Sequence, residues 1–140
     1  MIVDASVWVA RFLGVDKHHD VSSTCITALL ESDSRLVIPV LAWPEVAGAI
    51  ARRSGNAGYG NNAVAAIRAM RWIENVSMDD LLAEKSAQIA ATLKLRGADA
   101  VYVALAVMRR APLITLDTEM LERARDVAEV LTPADWLSRT

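Results

Sequence analysis

The chain has 140 residues, 54% of them hydrophobic, with a formal charge of −2 at pH 7 and one cysteine. That length suits a single domain that folds without staples, and a lone cysteine excludes an internal disulfide or a multi-cysteine metal site. Apolar runs are broken by Arg, Asp, Glu or Pro well before the roughly 20 residues a bilayer span requires, and the acidic balance lacks the basic footprint usual in nucleic-acid binders.

Met1 leads straight into Ile2-Val3-Asp4 without a basic, apolar leader, so the expectation is a cytoplasmic protein with no membrane partner. Residues 2–4 read as a short buried strand and residues 6–13 as a helix. A second helix covers about 20–31, where Cys25 falls in line with Val21 and Leu29, the place of a small buried hydrophobe. His18 and His19 are adjacent, do not face each other on a helix, and read as solvated. Residues 36–38 form the next strand, ended by Pro39. The following helix tolerates Pro44 in its first turn, where no amide donor is needed, and stops near Arg53.

Residues 56–60, rich in glycine, read as a flexible connection. A helix is expected over 61–74, a short edge strand over 76–78, and a helix from Asp79 and Asp80 to about 95. Gly97 then punctuates the chain before a further apolar helix. Residues 112–116 read as a strand, 117–125 as a helix, 129–131 as a strand and 133–137 as a last helical turn. Short β-type runs alternating with longer helical ones predict one α/β domain over residues 1–140, with a short, mostly parallel central sheet flanked by helices.

Four carboxylates stand out. In open parallel sheets the functional crevice lies beyond the carboxyl ends of the strands; Asp4 ends the first strand and Asp117 ends a later one, so neighbouring strands would bring the two together. Glu45 lies near the start of its helix. Asp99 sits in line with Val103 and Ala106 on an apolar stripe. Singly, each acid suits a helix N-terminus, where it caps amides and complements the dipole, and Asp99 has Arg96 three residues back for a local ion pair. Together they would repel in a buried pocket. A hard divalent cation removes that repulsion; oxygen ligands without His or Cys suit Mg2+ or Mn2+. Such an ion activates water and offsets charge on phosphate, which points to phosphodiester hydrolysis. Carboxylates held by a metal would also leave the rest of the chain positive, and Arg supplies most of its 15 basic residues.

Ser6 and Thr115 each stand two positions from an acid, on the same side of an extended backbone, where they could orient a carboxylate or a water. Glu119 reads as surface charge in a first helical turn. The pairs Arg52-Arg53 and Arg109-Arg110 close helices and complement their dipoles, as Arg68 and Arg71 share a face; each could also grip phosphate. Trp8, Trp43, Trp72 and Trp136 read as core or interface residues, none lying in a basic stretch.

Ile-Val-Asp-Ala-Ser at 2–6, Pro-Glu-Val-Ala at 44–47, Arg-Gly-Ala-Asp-Ala-Val-Tyr-Val-Ala-Leu-Ala at 96–106 and Leu-Ile-Thr-Leu-Asp at 113–117, in this order, resemble the PIN-domain ribonucleases, and among them VapC-type toxins of prokaryotic toxin–antitoxin pairs. The resemblance implies a PIN-like three-layer domain and an acidic pocket of Asp4, Glu45, Asp99 and Asp117 that holds Mg2+, with Ser6 and Thr115 as supporting hydroxyls. It implies an endoribonuclease acting on RNA, a homodimer, and inhibition by a VapB-like antitoxin. The chain departs from many relatives at Gly48, where they carry Asn. Two other readings stay open: a housekeeping PIN nuclease in RNA processing, and a PIN-like module that binds RNA or protein without cutting.

Overall fold

The computed structural model describes residues 1–32 and 34–139. Its strands are β1 (Ile2–Val3), β2 (Leu36–Pro39), β3 (Ile73–Val76), β4 (Leu113–Ile114) and β5 (Val130–Leu131). They form one sheet in the order β3-β2-β1-β4-β5 with every pairing parallel; the mostly parallel sheet expected is parallel throughout. Parallel neighbours need long crossovers, and helices supply them. These are α1 (Ala5–Phe12), α2 (His19–Glu31), α3 (Ala42–Ser54), α4 (Ala57–Ala69), α5 (Asp80–Leu93), α6 (Gly97–Arg109), α7 (Thr118–Arg123) and α8 (Pro133–Leu137).

The central strands are covered on both faces and so read as unbroken apolar runs rather than alternating ones. Ile2, Val3, Leu36, Ile38, Leu113 and Ile114 are wholly buried. Helix α6 lies against β1, β2 and β4 and packs against α5, while α1 packs with α2 and α3, and α8 closes on α2 and β5. Trp8 and Cys25 lie in the core. Burial pushes the Cys25 thiol up to about 11, which leaves it protonated and inert at neutral pH.

From β1 the chain winds to β2 and β3 on one side and later to β4 and β5 on the other. The strand order therefore reverses between β1 and β4, where a crevice opens in such sheets. The register fixes Ile2 against Leu113 and Val3 against Ile114, and the Asp4 amide donates to the Ile114 carbonyl at 3.0 Å.

Two expectations shift. The helix predicted over 61–74 starts earlier and ends at Ala69, and the edge strand lies at Ile73–Val76 rather than 76–78. The chain turns extended at Met70, and the backbone of the next residues is taken by β2: Leu36 pairs with Ile73, and the Leu36 amide donates to the Trp72 carbonyl at 2.9 Å. Helical periodicity in the sequence loses to sheet pairing.

Residues 56–60 are not a flexible connection. Asn56 caps α4, its Oδ1 accepting from the amides of Gly58 at 2.8 Å and Tyr59 at 3.4 Å. Gly60 is buried where α4 crosses α3, and a Cβ there would stand 2.3 Å from the Ala47 carbonyl oxygen. The glycine is a contact between backbones.

Candidate functional site

A cavity of about 520 Å3 opens beyond the carboxyl ends of β1 and β4. Asp4, Ser6, Glu45, Asp99 and Asp117 all line it, together with Arg96. Thr115 lies behind, wholly buried.

Asp4 leaves β1 and caps α1 with an extended backbone, its Oδ2 accepting from the Ser6 amide at 3.3 Å. The same oxygen accepts from the Ser6 hydroxyl and, at 2.8 Å, from Thr115 Oγ1. Each hydroxyl also accepts a backbone amide from beyond β4. Leu116 donates to Ser6 Oγ and Asp117 to Thr115 Oγ1, both at 3.0 Å. The two hydroxyls thus stitch the end of β1 to the end of β4 and fix one oxygen of Asp4. Among the described residues, no hydrogen bond reaches its Oδ1 and no cation pairs with it, although the residue is only 4% exposed. Burial raises the Asp4 pKa above the ordinary aspartate value; the hydroxyls of Ser6 and Thr115 and the Ser6 amide draw it back, and the Asp99 charge raises it.

Glu45 stands in the first turn of α3, where the hydroxyl of the buried Tyr102 on α6 donates to Oε2 at 2.6 Å. The start of α3 is pinned from β3 and α4: Trp43 Nε1 donates to Asn75 Oδ1 at 3.2 Å, and the Arg68 guanidinium lies 4.7 Å from the Trp43 ring centre. Burial raises the Glu45 pKa, the Tyr102 bond lowers it, and the charges of Asp4 and Asp99 raise it against the pull of Arg96. Tyr102 is itself held neutral, its pKa pushed up by burial and by the Asp4 and Glu45 charges, so it remains a donor.

Asp99 is 8% exposed in the first turn of α6. Arg96 Nε donates to its Oδ2 at 2.7 Å, the local ion pair the spacing suggested, and Arg96 Nη2 also donates to Asp117 Oδ2 at 3.0 Å. Burial raises the Asp99 pKa; the Arg96 bond and charge lower it, and Asp117 and Glu119 raise it. Asp117 caps α7 through Met120, whose amide donates to Oδ1 at 2.9 Å. Glu119 is exposed and paired with Arg123.

Two contacts escaped the sequence reading. Tyr102 is three residues beyond Asp99 and therefore on its side of α6, a signal available but unused. The reach of Arg96 to Asp117 spans 21 positions and has no local signature. The histidines are also less solvated than expected: both are half-buried, with His18 at the cavity and the His19 ring bonded to the Ala10 carbonyl at 3.0 Å. Arg109 is taken by Glu74 at 2.6 Å.

The donor set fits a hard divalent cation. It is all carboxylate oxygen, and Asp4 is a buried carboxyl group with hydrogen-bond donors but, among the described residues, no counter-ion, an arrangement that favours a cation close by. Among the described residues, no group of three or more His, Cys, Asp or Glu side chains is gathered closely enough to hold a metal ion. Mg2+ needs fewer, since it keeps several waters and takes one or two protein carboxylates.

The family model for the PIN domain matches residues 1–126. Three solved structures share the fold. VapBC2 from Rickettsia felis, bound to a DNA fragment from its promoter, has a TM-score of 0.71 at 11% identity over 94% of this chain and 96% of that one. VapC20 from Mycobacterium tuberculosis, a toxin that cleaves the sarcin-ricin loop, has 0.69 at 20% identity over 84% and 89%. A toxin–antitoxin complex from Klebsiella pneumoniae has 0.68 at 20% identity over 94% and 96%. No curated protein matches the chain.

Proposed function

The chain belongs to the PIN domain family, and on that premise we propose that it is a magnesium-dependent endoribonuclease acting as the toxin of a VapBC-type pair. One observation carries the reading: Asp4, nearly buried at the strand-order reversal, shares a cavity with Glu45, Asp99 and Asp117 and has no cation of its own among the described residues. The proposed metal ligands are Asp4 and Asp99, with Glu45 and Asp117 completing the acidic set; Mn2+ is chemically equivalent here. Bound there, the ion supplies a water of lowered pKa and offsets charge on the phosphate.

The chain's own residues do the rest. Ser6 and Thr115 hold Asp4 Oδ2 in place, which removes rotational freedom from the side chain before any ligand arrives. Tyr102 does the same for Glu45 Oε2, so that Oε1, on a carboxylate of raised pKa, is suited to take a proton from an attacking water. Arg96, bridging Asp99 and Asp117, limits their repulsion.

The neighbours named as VapBC or toxin–antitoxin complexes support a VapB-like antitoxin as partner, and the toxin named for cleaving the sarcin-ricin loop supports an RNA substrate. Exposed Tyr59, Trp72 and Leu81 offer apolar surface for an antitoxin or for a second copy in a homodimer. No helix among the described residues is long and apolar enough to cross a membrane; a cytoplasmic location is part of the proposal, in keeping with the proposed RNA substrate. A non-cutting binding module is the second reading, favoured by Arg96, which already neutralises two of the acids. Purified protein incubated with structured RNAs decides between them: cleavage with Mg2+ that stops in excess chelator is expected, and intact RNA in both arms contradicts the nuclease.

A further inference from the structure

The acids are only part of the cavity wall. Lys17, His18, Arg52 and Arg53 also line it, beside Asp16 and apolar residues of α1 and α3. Arg53 is already committed, since its Nη1 donates to Asp16 Oδ2 at 2.6 Å and so ties the segment between α1 and α2 to the end of α3. Arg52 is different. Among the described residues it has no ion pair or hydrogen bond, although carboxylates line the same hollow. Its position is set by a glycine: the guanidinium lies back along α3 over Gly48, where a Cβ would come within 3.1 Å of Nη1. Glu45, Ala49 and Arg52 thus follow one another along the cavity-facing side of α3, the acid and the base seven positions apart, or about 10 Å of helix axis.

A cation beside acids yet bonded to none is placed for an anion that enters from outside. Resting on the nuclease reading above, we infer that Arg52, assisted by Lys17, binds a backbone phosphate of the RNA strand next to the one held over the carboxylates. The planar guanidinium fork suits phosphate oxygens, and the acidic and basic ends of the cavity set the direction in which a strand lies. The other role open to Arg52 is complementing the α3 dipole from its last turn, which would act on stability and not on RNA.

The test measures binding apart from cutting. A fluorescently labelled single-stranded RNA is titrated in an Asp4→Asn background, with Arg52→Gln, Arg52→Lys and Gly48→Ala added singly, across a salt series. Arg52→Gln is expected to weaken binding about tenfold at low salt and to flatten the salt slope by about 0.7, the loss of one phosphate contact to a single strand. Arg52→Lys restores most of the slope. Gly48→Ala, which meets only the flexible tip of Arg52 and adds helix propensity, weakens binding about threefold without lowering the melting temperature. In the cleaving protein, Arg52→Gln raises KM with kcat changed less than about twofold. Equal affinity and slope in the parent and Arg52→Gln would overturn the inference. A wild type that cuts nothing while the Arg52 difference in binding persists supports the phosphate site and removes the nuclease reading instead.

Discussion

Replacing Asp4 by Asn is expected to lower Mg2+-dependent RNA cleavage by about a thousandfold while making the metal-free protein more stable at neutral pH. Both effects come from one buried charge. Burial sets the folded-state pKa of Asp4 above its unfolded value, so folding favours the protonated acid. Below the unfolded pKa the carboxyl is neutral in both states and carries no penalty. As pH rises through the folded value the fold must hold an ionised group out of water, and that stability is lost. Asn keeps an oxygen to accept from Ser6 and Thr115 and removes the charge. The gain is present at pH 7 in chelator and vanishes below about pH 4, where the carboxyl is neutral in both states. Thermal melts at the two pH values read it directly. A variant equally destabilised at both would make Asp4 a structural residue, whereas loss of activity with gain of stability marks a group kept for function.

Gly60→Ala is expected to be the most damaging small substitution, costing about 3 kcal/mol. At 2.3 Å from the Ala47 carbonyl oxygen the new Cβ meets backbone, which cannot rotate aside as a side chain does, so α4 must move off α3. The gain in helix propensity, about 1 kcal/mol, is too small to offset that. A melting temperature lowered by roughly 10 °C is the expected result. Gly14→Ala, whose Cβ would meet nothing within 4 Å, is the control and should shift stability by less than about 0.5 kcal/mol. Displacing α4 also loosens Arg68 from Trp43 beside Glu45, so activity should fall with stability.

The same glycine shows where the sequence stopped being legible. Three glycines and an asparagine between two helical patterns carry every local mark of a loop, and only the crossing of α3 and α4 turns one of them into a packing contact. The strand at Ile73–Val76 was displaced for a similar reason, because its partner β2 lies more than thirty residues away. The acids were easier. Asp4 and Asp117 follow short apolar runs, and a parallel sheet places the ends of such runs on one edge. The β1–β4 pairing they required is the pairing observed. Asp99 announced itself by breaking an apolar stripe. What the sequence could not supply was the wiring among them: the reach of Tyr102 to Glu45, the bridge of Arg96 to Asp117 and the hydroxyl stitch between Ser6, Thr115 and the backbone after β4 all join residues distant along the chain.

The proposed divalent cation would offset the mutual repulsion of the carboxylates around Asp4. Calorimetric titration of Mg2+ into the wild type, Asp4→Asn and Asp99→Asn tests it most directly. Saturable binding to the wild type is expected, weakened at least about tenfold in either variant, with a stabilisation of about 2.7 kcal/mol when Mg2+ reaches a hundred times its Kd. Equal heats from all three proteins, or none from the wild type, would contradict it.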